Sequence, residues 1–162
     1  MLKTVYFTLV ESLIRYGLLV WGAANFSFID PIFKLQKRIL KIMGNREIRF
    51  PTIELFIENR VLSVRQLYIL LLVNYMKKNE NRNNVVNHTH NTRIRERNYQ
   101  DVPRMNTAFG QRSIVYLGPT IFNRIPVEIK EEENINRFKR KIRHWLLSIG
   151  IHCSEELIVN RI

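Results

Sequence analysis

Residues 63–78 read Ser63-Val-Arg-Gln-Leu-Tyr-Ile-Leu-Leu-Leu-Val-Asn-Tyr-Met-Lys-Lys78, and this stretch decides the fold. Ser63 followed three residues later by Gln66 is the pattern of a capping box, which opens a helix by satisfying two orphan backbone groups reciprocally. From Val64 to Lys78 the helix carries Leu67, Tyr68, Leu70, Leu71, Leu72, Val73, Tyr75 and Met76, so it is apolar almost all round. Such a helix has no solvent face of useful width and is expected at the centre of a small bundle.

The neighbouring segments supply amphipathic partners. Upstream, Leu2, Val5, Tyr6, Leu9, Leu13, Tyr16, Gly17 and Val20 recur at helical spacing, with Thr4, Thr8, Glu11 and Arg15 as an opposing polar stripe. This predicts one helix from Leu2 to about Trp21-Gly22. Lys3, Glu11 and Arg15 interrupt its apolar run, which argues against a membrane span or a signal peptide. Asp30-Pro31 reads as a cap followed by proline at the first helical position, and Gly44 as the stop after Met43. On that helix Ile32, Leu35, Ile39, Leu40, Ile42 and Met43 fall on one side, and Lys34, Lys37, Arg38 and Lys41 on the other. A short helix from Pro51-Thr52 to about Asn59 completes the first part.

After Lys78 the composition changes. Residues 79–100 are rich in Asn, Arg and His and lack period, which predicts an exposed connection. Ser113 to Leu117 is expected to form a short strand before a Gly118-Pro119 break, with a short helix from Pro119 ended by Ile125-Pro126. Ile135 to Ile149 reads as a helix with Ile135, Phe138, Ile142, Trp145, Leu146 and Ile149 on one face, and Arg137, Lys139, Arg140, Lys141 and Arg143 around the rest. The expected fold is therefore mainly all-α, with at most one or two short strands. It consists of a helical bundle over 1–79, a flexible basic linker over 80–101, and a small helix-rich unit over 102–162.

Charge points to the partner. The chain of 162 residues has 26 Lys+Arg against 14 Asp+Glu, a formal net charge of +12 that attracts polyanions. No acidic residue lies between Asp30 and Glu47, so the cations Lys34, Lys37, Arg38 and Lys41 read as a phosphate-contacting stripe rather than one half of i,i+4 ion pairs. Arg93, Arg95 and Arg97 are equally compatible with an RNA-binding arm and with a plain linker. Lys139, Arg140 and Arg143 are a third basic set, read as a solvated or nucleic-acid-facing surface ahead of a lipid-facing one.

Chemistry has few footholds. Asp30 and Asp101 are the only aspartates, neither with a carboxylate neighbour spaced for two-metal phosphoryl transfer. There is no Gly-rich phosphate loop and no recognisable Ser/His/Asp set. Cys153 is the single cysteine, so no intrachain disulfide or Cys-based zinc site forms, and a reducing, intracellular compartment (nucleus or cytoplasm) is the natural expectation. His88 and His90 have a metal-like spacing but no supporting ligands. No catalytic residue, metal, cofactor, membrane or small-molecule substrate is expected.

Several segments, in consistent order from about Leu2 to Leu147, resemble the region C-terminal to the palm in reverse transcriptases of non-LTR retrotransposons of the jockey-like kind. Ser12-Leu-Ile-Arg-Tyr-Gly17 with Val20-Trp21-Gly22 resembles the first thumb helix, and Lys34-Leu-Gln-Lys-Arg38 the second. His88-Thr-His-Asn-Thr-Arg93 resembles a His-x-Tyr-Asn-Thr-Arg segment, with His90 in place of the tyrosine. Gly110-Gln-Arg-Ser113, Tyr116-Leu-Gly-Pro119 and Phe122-Asn-Arg-Ile-Pro126 resemble the post-thumb segment, with Phe122 where tryptophan is common. Asn136-Arg-Phe-Lys139 and Trp145-Leu146 resemble its last basic helix. The resemblance implies a non-catalytic fragment of an RNA-directed DNA polymerase. Its palm and fingers, with the catalytic aspartates, would lie ahead of Met1. As a thumb, it would hold an RNA, RNA–DNA or DNA backbone without reading sequence, through Lys34, Lys37, Arg38 and Lys41, extended by Arg93, Arg95, Arg97 and Arg112. The alternative is a helical interaction module, or a remnant without function, that needs its missing palm.

Overall fold

The computed structural model describes residues 2–79 and 99–158, and within them every regular element is helical. The N-terminal run comprises α1 (Leu2–Val5), a π-helical segment (Tyr6–Glu11) and α2 (Ser12–Arg15), followed by α3 (Leu18–Trp21). Next come α4 (Phe26–Met43), α5 (Thr52–Asn59) and α6 (Val64–Lys78). The second half holds α7 (Ala108–Gln111), α8 (Ile114–Arg124), α9 (Val127–Lys130) and α10 (Ile135–Ile158).

Helix α6 is the axis. Its capping box forms as the sequence predicts: Gln66 N donates to Ser63 Oγ at 3.3 Å and Ser63 N donates to Gln66 Oε1 at 3.0 Å. Leu67, Tyr68, Ile69, Leu72 and Val73 have no exposed surface at all. They are covered by α10 and α8 on one side and by α2, α3 and α4 on others. Leu117, Ile121, Phe122, Ile125, Phe138, Ile142 and Leu146 join Leu62 through Met76 in one cluster, so 1–79 and 102–158 share a single core. A second, smaller cluster of Tyr6, Leu40, Leu55, Phe56, Val61 and Ile151 lies under α4 and α5.

Two glycines let helices approach α6 closely. A Cβ on Gly22 would stand 2.3 Å from Tyr68 Cδ2, and one on Gly118 would stand 2.5 Å from Met76 Sδ. Long polar side chains then lock the packing. Arg65 is buried and donates to the carbonyls of Gly22 (2.8 Å) and Ala24 (2.9 Å). Gln66 Nε2 reaches Leu146 O (2.7 Å) and Ser154 Oγ (3.2 Å), while Gln36 Nε2 donates to Tyr6 Oη (2.7 Å) and Leu62 O (2.8 Å).

Several expectations need correction. The predicted single helix from Leu2 to Trp21 breaks at Tyr16, whose ψ of 118° is extended, and at Gly17, whose φ of 63° is left-handed. Of its expected apolar face only Tyr6 is buried. Tyr6, Ile14 and Leu18 are buried together with Glu11, whereas Leu2, Val5, Leu9, Leu13, Tyr16 and Val20 stay exposed. The reason is polar pairing, partly with residues far along the chain. Glu11, read as part of a solvent stripe, meets Arg15 at 3.4 Å and Arg143 at 3.7 Å, and Tyr6 is held by Gln36.

Helix α4 starts at Phe26 after an Asn25 cap, with Pro31 inside it rather than at its first position. The carbonyl that Pro31 leaves without an N–H belongs to Ser27, which is exposed, so water can serve it. The strand expected at Ser113–Leu117 is instead the start of α8: Ser113 caps it by accepting from Tyr116 N at 3.4 Å, and Pro119 lies within it. The end of α8 matches expectation, since Ile125 before Pro126 is extended. In α10 the helix runs as expected through Ile149, breaks at Gly150 (φ 77°, ψ 179°), and resumes to Ile158.

Candidate nucleic-acid interface

The basic stripe of α4 is built on a helix whose inward side is Ile29, Gln36 and Leu40, with Ile32, Phe33, Ile39 and Met43 half-buried beside them. Leu35 and Ile42, assigned to the core side by the sequence pattern, are 58% and 72% exposed. With Phe28 they form an apolar line at seven-residue spacing on the outer face, next to the cations.

The four cations of α4 differ in what they do. Lys34 Nζ lies 2.7 Å from Asp30 Oδ2, four residues earlier, which corrects the expectation that ion pairing plays no part in this stripe. The pair is exposed on the lysine side, so it is worth only a few tenths of a kcal/mol. Lys41 donates to the carbonyl of Ile48 in the turn after the helix. Among the described residues Lys37 and Arg38 have no acidic partner, and Arg38 is exposed.

Helix α10 presents a second basic face, and its membership differs from the sequence reading. Arg137, Arg140, Lys141 and His144 stand at i, i+3, i+4 and i+7 and line one open notch. His144 was not singled out, although its spacing from Arg137 was the available signal. Lys141 also meets Glu132 at 2.7 Å, and that hydrogen bond holds the Glu132 carboxyl below its ordinary pKa. Arg143 is turned away from this face. It donates to Arg60 O at 3.3 Å, pairs with Glu11 and lies 5.6 Å from the Phe7 ring centroid, so it fastens the N-terminal run to α10. Lys139 is half-buried on another side of the helix.

Arg112 lies elsewhere. It is exposed and lines a cleft with Asn25, Phe26, Arg65 and Glu155 at the N-terminal end of α4. Arg93, Arg95 and Arg97, with His88 and His90, lie outside the described residues.

The segments that carry the family resemblance are mostly joints of the fold. Gly17 makes the left-handed turn, Gly22 and Gly118 make the close approaches to α6, and Phe122, Ile125 and Leu146 are core. Asn123 clamps the backbone of Gln100 from both sides, accepting from Gln100 N and donating to Gln100 O, each at 2.8 Å. Among the described residues no group of three or more His, Cys, Asp or Glu could hold a metal ion, and no helix is long and apolar enough to cross a membrane.

The chain matches no family model, no curated protein and no solved structure.

Proposed function

We propose that this chain is the thumb and post-thumb region of a non-LTR retrotransposon reverse transcriptase, acting without catalytic residues of its own to hold a template–primer backbone. The observation that carries the binding part is the outward cationic surface of the two longest helices. On α4 it consists of Lys37 and Arg38 with Lys34 and Lys41, and on α10 of Arg137, Arg140, Lys141 and His144. A net charge of +12 adds the long-range attraction. Cations set along rigid helices contact phosphates without reading bases, which suits a polymerase-associated grip on any sequence. The assignment to the reverse-transcriptase family rests on the ordered resemblance of its segments.

The test is fluorescence anisotropy with an RNA–DNA hybrid, single-stranded RNA and duplex DNA over a salt series. Affinity should fall steeply with salt, and the hybrid should bind at least as well as duplex DNA. Replacing Lys37 and Arg38 together by Gln should weaken binding to all sequences alike. It should also reduce the salt slope by about two, roughly one per lost phosphate contact. An unchanged slope would remove α4 from the interface.

One observation favours a second reading, an interaction module that packs on a palm domain. Leu2, Leu9, Leu13, Tyr16 and Val20 are 58–86% exposed along the N-terminal run, and contiguous apolar surface of this kind marks partner sites. Light scattering separates the two: concentration-dependent self-association of the isolated chain supports this reading, and a monodisperse monomer counts against it.

A further inference from the structure

Lys130 stands out among the buried groups. It closes α9, has only 1% of its surface exposed, and among the described residues its ammonium makes a single hydrogen bond, to Asn123 O at 2.9 Å. Aromatic rings flank it, with Tyr99 at 4.9 Å and Phe122 at 5.8 Å from ring centroid to Nζ. Among the described residues no carboxylate pairs with it. Burial alone lowers its pKa from the ordinary lysine value, with no neighbouring negative charge acting the other way. A buried charge without a counter-charge is expensive, and such groups are normally paired or hold a ligand.

The surroundings supply room for that missing charge. Lys130 lines an open cleft of about 510 Å³ with Tyr99, Thr120, Asn123, Arg124 and Ile125, and among the described residues no Asp or Glu lines it. Among the described residues its lining therefore includes Lys130 and Arg124 and no carboxylate. It lies away from the basic faces of α4 and α10, neither of which contributes a lining residue.

We propose that this cleft is a binding site for a small oxyanion of the phosphate class, anchored by Lys130, with Arg124 at its rim. The ammonium donates its two remaining N–H groups to the anion, and the Asn123 carbonyl fixes the direction in which they point. Tyr99 forms one wall and shields the contact from water, which strengthens it. A free phosphate and the phosphate of a nucleotide present the same chemistry to this pocket.

Pyrophosphate and a nucleoside 5′-monophosphate are the probes, added to the whole chain at ionic strength matched with chloride. In the wild-type protein, backbone amide shifts should concentrate at Tyr99, Asn123 and Lys130 as pyrophosphate is added. Shifts spread over the cations of α4 and α10 instead, or none, would overturn the proposal. Lys130→Met keeps the apolar stem and removes the charge, and it should lose at least tenfold in pyrophosphate affinity. Without ligand its melting midpoint should equal or exceed that of the wild type, because an ammonium whose folded pKa is depressed costs stability at every pH where the unfolded chain holds it protonated. Lys78→Met, an exposed lysine outside the cleft, should bind as the wild type does. Equal loss in the two variants would show general charge attraction and sink the site. A lowered midpoint for Lys130→Met with unchanged pyrophosphate affinity would make Lys130 a structural cross-link only. Tighter binding of the nucleotide than of pyrophosphate would identify the source as a nucleotide, and equal binding would identify it as a free phosphate.

Discussion

At the scale of single residues, the fold depends on a few positions where there is no room or no alternative partner. Gly22 and Gly118 are the sharpest. The Cβ of Gly22→Ala would meet both the Tyr68 ring and, at 2.5 Å, the backbone carbonyl of Leu18, which cannot move aside as a side chain can. Overpacking of this kind costs about 1–3 kcal/mol. Thermal or urea unfolding should therefore place Gly22→Ala well below wild type. Gly44→Ala should cost far less, since the tightest neighbour there is the flexible Arg46 side chain. Legibility at this scale follows distance along the chain. The Ser63–Gln66 box was readable because its two halves are three residues apart. The burial of Glu11 was not, because besides the local Arg15 it meets Arg143, near the other end of the chain.

At the scale of elements, the sequence located helices better than it oriented them. Periodicity found α4, α6 and α10, yet on the N-terminal run the residues it selected are, Tyr6 apart, exposed. That run is apolar around most of its circumference, so pattern alone does not say which apolar residues are used; the Tyr6–Gln36 bond and the Glu11–Arg143 pair decide it. The basic stripe of α4 was legible for the same reason that its neighbours were misread: charge marks a solvent face clearly, while Leu35 and Ile42 give no sign that they flank it. An expectation follows for the exposed stripe. Replacing Leu9 and Leu13 by Gln should leave the melting midpoint nearly unchanged, within about 0.5 kcal/mol, as for surface substitutions generally. It should also diminish any self-association seen by light scattering. A large drop in stability would mean that these residues are buried after all.

At the scale of the whole molecule, one core joins both halves, so unfolding should be a single cooperative event. Two buried tyrosines give that event a pH signature. Burial raises the pKa of Tyr6 and of Tyr68 from the ordinary value of 10.0 to about 12 in each case. Because the folded values lie above the unfolded one, their contribution is complete below pH 10 and is lost as pH climbs towards 12. Each group removes about 1.4 kcal/mol per pH unit across that window. Tyrosinate absorbance should show Tyr6 and Tyr68 ionising only together with the loss of helical circular dichroism. Ionisation of Tyr6 and Tyr68 near pH 10 in a still-folded protein would contradict the packing. The all-α class and the centrality of α6 were legible from sequence, since they depend on composition and period. The partners that surround α6 were not, because they come from segments on both sides of it.

The position of α6 at the centre has a consequence for how the protein is made. When a ribosome has just released Lys78, the side of α6 that will face α8 and α10 is bare, because residues 114–124 and 135–158 have yet to be synthesised. At typical rates of about 5–20 residues per second, that wait lasts on the order of ten seconds. During it Leu67, Leu70 and Val73 belong to an unfinished surface. A chaperone that holds apolar helices has its natural target there, and its hold should end once Phe138, Ile142 and Leu146 arrive.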